Sequence, residues 1–297
     1  MQLQKLTTER RNRATEDLDV MTALEIVDVM NREDAAVPRA IRRVLPQIAQ
    51  ALDAITNALA KGGRLIYVGT GTSGRIGALD ASECPPTFGV SSKVVTYLIA
   101  GGERALSHAS EVSEDSADLG RRDMARKRPG KLDVIVGIAA SGRTPYTISA
   151  MEYAASKGAT TVAIACNEGS AIGRAAKIRI EVDVGPEVLT GSSRLKAGTA
   201  QKMICNMLST GAMARLGYVY SNLMVNLHLK NKKLLERGIV IVQMLAHVDR
   251  ETAVSTLETA GMSLPLALVM LMADTGKRDA ARRLRKAKGN VRKAIKG

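Results

Sequence analysis

The chain has 297 residues, 45% apolar and 24% charged, with one Phe, six Tyr and no Trp. These proportions exclude a disordered chain and a disulfide-stapled miniprotein, and the scarcity of aromatics removes the usual platform for stacking single-stranded bases. The formal charge of +14 is concentrated at one end: ten Lys/Arg and one acid lie in residues 277–297, a net +9 that leaves +5 elsewhere.

That tail is read first as a solvated basic helix and only second as a contact for an anionic partner such as nucleic acid. Cys84, Cys166 and Cys205 are odd in number and far apart, which fits neither a disulfide framework nor a zinc ribbon and suits a reducing cytoplasm. His108, His228 and His247 share no ligand spacing, so no metal is expected. The first residues carry no apolar signal-peptide core, and the densest apolar run, 264–273, falls short of the roughly 20 residues that span a bilayer. A soluble protein without a membrane partner is expected.

Along the chain, residues 22–30 and 37–59 place apolar residues at helical spacing, with Gly62-Gly63 as a stop. Short β-branched runs then alternate with helical patterns. Strands are predicted at 64–68, 93–99, 133–138, 160–165 and 178–184, and helices at 74–82, 105–128, 145–156 and 170–176. Such alternation yields a parallel sheet covered on both faces, because the crossovers are right-handed. The expected fold is α/β: a doubly wound, five-stranded parallel sheet with an N-terminal helical arm and a small C-terminal helical unit. Long helices are predicted at 195–216 and 223–245. Gly261, Gly276 and Gly289 then divide the last fifty residues into three or four short helices, with Ser263 and Asp279 as starts. The expected divisions are an arm at 1–54, a sheet domain at 55–218, a connecting helix at 219–248 and a helical unit at 249–297.

Ligands of a doubly wound sheet bind beyond the carboxyl ends of the strands, where strand order reverses. Two loops belong there. Gly69-Thr70-Gly71-Thr72-Ser73-Gly74 follows an apolar strand and opens a helix. Its glycines let amides turn toward an anion, and Thr72 and Ser73 add hydroxyl donors, so Gly71, Thr72, Ser73 and Gly74 form a candidate anion cradle. The same hexamer matches G-x-G-x-x-G, but a dinucleotide site needs an acid at the end of the next strand. Residues 93–99 carry none, and Glu103 comes only after Gly101-Gly102. In the second loop, Ala140-Ser141-Gly142-Arg143-Thr144-Pro145, Thr144 is placed to cap a helix whose first residue is Pro145, and Ser141, Gly142 and Thr144 face the same strand-end surface. Two hydroxyl-rich loops on one sheet point to a sugar phosphate.

Carboxylates are the candidates for acid–base work. Glu83 lies in Asp80-Ala81-Ser82-Glu83-Cys84-Pro85-Pro86, where the Pro pair stiffens the chain; beside a bound anion such a group acquires a raised pKa and can serve as an acid near neutral pH. Glu114 is expected on a helix, and residue chemistry alone does not choose it over Glu111 or Asp115. A third cluster, 186–202, contains Glu187, Arg194 and Lys196. It leaves the last strand and opens a long helix, where its polar groups could close the pocket, meet a neighbouring subunit or simply be solvated.

Taken together these stretches resemble the N-acetylmuramic acid 6-phosphate etherase family, whose catalytic domain has the sugar isomerase (SIS) fold. The likeness runs through Thr8-Glu9 and Asn12, Gly63-Arg64-Leu65-Ile66-Tyr67-Val68-Gly69, and Leu79-Asp80-Ala81-Ser82-Glu83-Cys84-Pro85-Pro86-Thr87-Phe88-Gly89. It continues through Gly137-Ile138-Ala139-Ala140-Ser141-Gly142-Arg143-Thr144-Pro145-Tyr146, the 185–202 cluster and Asn222-Leu223-Met224-Val225-Asn226. Thr70 and Ser193 stand where the family pattern has Ala and Thr. The resemblance implies cleavage of a lactyl ether without metal or other cofactor, with Glu83 as the acid that protonates lactate and Glu114 as the second catalytic group. It also implies a phosphorylated amino sugar as substrate, a homodimer, a cytoplasmic role in recovering cell-wall amino sugars, and a ubiquitin-associated-like C-terminal unit. Two other readings share the cradles: a phosphosugar-sensing SIS regulator without catalysis, and an aldose–ketose isomerase, which needs no acid aimed at C3.

Overall fold

A computed structural model describes residues 6–108, 113–229 and 231–297. The chain divides into two compact units, one of residues 1–82 and 93–209 and the other of 83–92 and 210–297.

The first unit begins with helices α1 (Ala23–Asp34), α2 (Ala36–Arg43) and α3 (Leu45–Ala60). Thr22 starts α1 through a capping box: its hydroxyl accepts from the Glu25 amide while the Glu25 carboxylate accepts from the Thr22 amide at 2.8 Å. Such a pair satisfies two end donors and contributes about 1 kcal/mol to helix stability. Five parallel strands follow: β1 (Leu65–Gly69), β2 (Val95–Ile99), β3 (Val134–Ile138), β4 (Thr160–Ala165) and β5 (Ile178–Glu181). Their order is β2-β1-β3-β4-β5. β1 and β3 are buried throughout, as strands covered by helices on both faces must be. The crossovers include α4 (Gly71–Phe88), α5 (Ala117–Lys127), α6 (Pro145–Ser156) and α7 (Ala171–Arg174). Ile66, Val68, Ile135, Met124, Tyr146 and Met151 form part of the core on one face of the sheet.

At the amino end of the sheet, Asp133 clasps Arg64. The guanidinium donates to both carboxylate oxygens, at 3.0 and 2.6 Å, and the Arg64 and Gly130 amides add two more bonds. Burial alone would raise the Asp133 pKa, but the Arg64 and Gly130 hydrogen bonds outweigh it and hold the carboxyl below its usual value. The unfolded chain therefore takes up this proton first. The stabilisation is complete above the unfolded value of about 4 and is lost as pH falls from there through the folded value. Urea midpoints measured in steps from pH 6 to pH 2 are expected to fall less steeply for Asp133→Asn than for the parent chain. Parallel curves would remove this pair from the acid sensitivity.

The helix α8 (Lys196–Leu216) runs from the last strand's loop, with residues from Thr210 onward counted in the second unit. That unit continues with α9 (Lys232–Ala246), α10 (Arg250–Thr259), α11 (Leu264–Met272), α12 (Lys277–Lys286) and α13 (Val291–Lys296). Its core gathers Val225, Leu227, Ile239, Val242, Leu257, Leu264, Leu268 and Val291. Among the described residues no single helix is long and apolar enough to cross a membrane.

Five elements differ from the sequence reading. α4 runs past Ser82 to Phe88, through Pro85 and Pro86, rather than stopping at the Pro pair. The helix expected over 105–128 is a 3₁₀ turn at Glu103–Leu106 and then α5, which Ser116 starts by accepting from the Leu119 amide; Glu111 lies outside the described residues. β5 ends at Glu181, short of 184, although the Val182 amide still bonds to Ala165. The helix expected from 223 begins only at Lys232, after its cap Asn231. Before it, Tyr220 and Leu223 exchange backbone bonds and Asn226 donates to the Tyr218 carbonyl, so the buried Val225 and Leu227 sit in irregular chain. Asp279, expected to start a helix, lies in the first turn of α12, where it accepts from Thr275 and Arg283.

Candidate functional site

β1 pairs with β2 on one side and β3 on the other, and the chain crosses back from β2 to β3, so strand order reverses between β1 and β3. Those two strands pair directly, with Gly69 opposite Ile138. The loops leaving them are the two cradles, which the sheet therefore places side by side at the switch point, where a doubly wound fold binds its ligand.

In the first cradle, Gly71 opens the 18-residue α4 with φ +48°. Gly74 must be glycine: a Cβ there would lie 2.7 Å from Ile99 and 2.8 Å from the Gly69 carbonyl. The helix N-terminus is thereby brought against the strand end, with its free amides and positive potential at the mouth of the site. Thr72 is half-buried. Ser73 is buried, and its hydroxyl donates to Gln201 Oε1 at 2.9 Å.

The second cradle turns at Gly142, whose amide bonds to the Ala139 carbonyl and whose φ of +71° and close approach to Ser170 admit no side chain. Ser141 accepts from the Arg143 amide at 3.3 Å. Thr144 occupies the cap position of α6 ahead of Pro145, as expected, but makes no side-chain cap bond. Its hydroxyl instead donates to Glu114 Oε1 at 3.4 Å, and the Glu114 carbonyl accepts from the Tyr146 amide at 3.2 Å. Glu114 is thus not on a helix but in the turn before α5, fixed to the second cradle at both backbone and side chain. Glu83 lies on α4, solvent-exposed, in the stretch counted with the second unit.

The third cluster is internally engaged. Glu187 is fully buried and accepts from the Lys196 and Ala197 amides, both at 2.9 Å, closing the N-terminus of α8. Burial pushes its pKa up against the pull of those amides. Lys196, 1% exposed, reaches back to Glu33 of α1 at 2.5 Å, and Asn12 donates to the same oxygen at 2.8 Å. Burial would raise the Glu33 pKa, but the Lys196 and Asn12 bonds win and hold it low. Sequence reasoning missed the parts played by Gln201, Asn12 and Glu33. Ser73 and Gln201 are 128 residues apart and Lys196 and Glu33 are 163 apart, so no local spacing links them. Among the described residues no group of three or more His, Cys, Asp or Glu is arranged to hold a metal ion.

The sheet domain is a SIS domain by its match to family models. The SIS domain family model matches residues 107–211, and the model for the glucokinase regulatory protein N-terminal SIS domain matches 47–155. Among solved structures, a phosphoheptose isomerase from Francisella tularensis shares the fold with a TM-score of 0.51 and 20% identity, over 65% of this chain and 98% of that one. The N-acetylmuramic acid 6-phosphate etherase of Actinobacillus pleuropneumoniae serotype 5b is 51% identical over 293 residues, which is 99% of this chain and 96% of the relative. N-acetylmuramic acid 6-phosphate etherase 2 of Lactiplantibacillus plantarum is 50% identical over 99% of this chain and 100% of its own length. The chain belongs to the N-acetylmuramic acid 6-phosphate etherase family.

Proposed function

We propose that this protein is an enzyme that cleaves the C3 lactyl ether of N-acetylmuramic acid 6-phosphate, giving N-acetylglucosamine 6-phosphate and D-lactate. The observation that carries this reading is identity of about 50% over nearly the whole chain with relatives bearing that name. The adjacent cradles supply amides, hydroxyls and a helix N-terminus suited to a phosphoryl group and a polyol.

An ether oxygen at C3 is a poor leaving group for direct displacement. Opening the sugar ring exposes an aldehyde at C1 and makes the C2 proton acidic. Glu114, held by Thr144, takes that proton, and the C3–O bond breaks as Glu83 protonates the departing lactate oxygen. The result is an α,β-unsaturated aldehyde. Water then adds: Glu83, now a carboxylate, takes a proton from the water as its hydroxyl bonds to C3, and protonated Glu114, after exchange with solvent, returns a proton to C2. Two carboxylates complete this lyase chemistry without a metal or redox group. Gly71, Thr72, Ser73 and Gly74 hold the phosphoryl group, Ser141, Gly142 and Thr144 meet the sugar, and Glu187 and Lys196 keep the adjoining loop in place. The working form is a homodimer in the cytoplasm.

Turnover in deuterium oxide containing oxygen-18 water is expected to give N-acetylglucosamine 6-phosphate with deuterium at C2 and oxygen-18 at C3, read by mass spectrometry and NMR, while the lactate ether oxygen remains unlabelled. Oxygen-18 in the lactate, or a product unlabelled at C2, would exclude elimination followed by hydration.

A further inference from the structure

Ser73 presents a proton problem. Its hydroxyl has one proton, and in this structure that proton is donated to Gln201 Oε1 at 2.9 Å. A phosphate monoester dianion only accepts, so Ser73 in this arrangement cannot donate to it. Gln201 contains the solution. It sits in the second turn of α8, fully buried, and its Nε2 has no hydrogen-bond partner although its Oε1 does. A buried amide donor without an acceptor is costly and uncommon. The Cys166 thiol, also fully buried, lies beside the same amide and donates weakly to the Ala197 carbonyl at 3.8 Å; burial pushes its pKa up to about 12, so it keeps its proton.

We propose that Gln201 is a positioning residue for the phosphoryl group of the substrate: a half-turn of its amide makes Nε2 donate to Ser73 Oγ, frees the Ser73 proton for a phosphate oxygen, and turns Oε1 toward the protonated Cys166 thiol. No bond is made or broken. The hydrogen bond between Gln201 and Ser73 reverses direction, and the idle donor of the empty site becomes the donor that orients the hydroxyl in the filled one. This inference rests on the reading of the first cradle as the phosphoryl site.

The test is a double-mutant cycle on full-length protein, with N-acetylglucosamine 6-phosphate as titrant and unphosphorylated N-acetylglucosamine as control. Gln201→Met keeps the volume and removes both polar atoms. It is expected to weaken the phosphosugar about tenfold and raise KM for the muramic substrate in step, with kcat within about threefold of the parent. Gln201→Leu also removes both polar atoms with a side chain of similar bulk and is expected to weaken binding as much, which covers the case in which the Met variant folds poorly. In a Ser73→Ala background Gln201→Met should add less than a twofold loss, because its effect passes through that hydroxyl. An undiminished tenfold loss in that background, or parent-like affinity of both Gln201 variants, overturns the inference alone. Failure of the parent protein to bind the phosphosugar removes the functional reading and this inference with it.

Discussion

Replacing Glu83 with Gln is expected to lower kcat for lactate release about a thousandfold, within the range a positioned general acid contributes, and to leave the folded structure unchanged. The side chain is exposed on α4, so its amide analogue displaces no packing. A lactate alkoxide leaves reluctantly without a proton, and an amide cannot supply one. The division of roles makes a sharper prediction than the loss of rate. With Glu114 as the proposed C2 base, the substrate of the Glu83→Gln protein should exchange that hydrogen with deuterium oxide while its ether stays intact. Glu114→Gln should lose exchange and lactate release together. Proton NMR of the recovered substrate reads both. Exchange that survives in Glu114→Gln would assign the C2 base to another group, and full turnover by Glu83→Gln would remove it as the acid.

The largest effect on stability is expected at Asp80, which lies one turn before Glu83 on α4. It is 5% exposed and accepts from the Tyr67 hydroxyl at 2.8 Å, Asn206 Nδ2 at 2.8 Å and the Ser209 hydroxyl at 3.0 Å. Burial pushes its pKa up, against hydrogen bonds from Tyr67, Ser209 and Asn206 that favour the carboxylate. One side chain therefore ties β1, α4 and α8 together, and Asp80→Ala takes an acceptor from two buried donors and one half-buried donor at once. Each donor left without a partner costs about 1–3 kcal/mol, and partial re-pairing brings the expected total to about 3–5 kcal/mol. Asp80→Asn keeps an acceptor oxygen for two of the donors and is expected to cost about 1 kcal/mol. Urea denaturation gives both values. An Asp80→Ala protein within 1 kcal/mol of the parent would show that the cluster does not support the fold.

The legible parts of this chain were those whose signal is local. β1, β3 and β4 appear as apolar runs because an interior parallel strand is buried on both faces, and both cradles stand out because glycine and hydroxyl residues directly follow such runs. The illegible parts were settled by partners distant in sequence. Thr144 has the residue type and position of a helix cap, yet its hydroxyl turns to Glu114, 30 residues earlier. The apolar residues of 223–229 suggest a helix, yet Val225 and Leu227 are buried from irregular chain, where Asn226 donates to the Tyr218 carbonyl. The helix expected around Glu114 gives way because Ser116, one residue past Asp115, is the stronger start signal. Gln201 reads as one more residue of a long helix until its oxygen is found on Ser73.

The ion pair between half-buried Glu33 of the arm and buried Lys196 of α8 also sets a schedule for biosynthesis. Lys196 leaves the ribosome 163 residues after its counter-ion Glu33, a delay of roughly ten seconds or more at about 5–20 residues per second. During that interval the arm has helices of its own but no cation to dock against. Its carboxylate must stay hydrated until α8 emerges, so α1 completes its packing only after the five strands that follow it have been made.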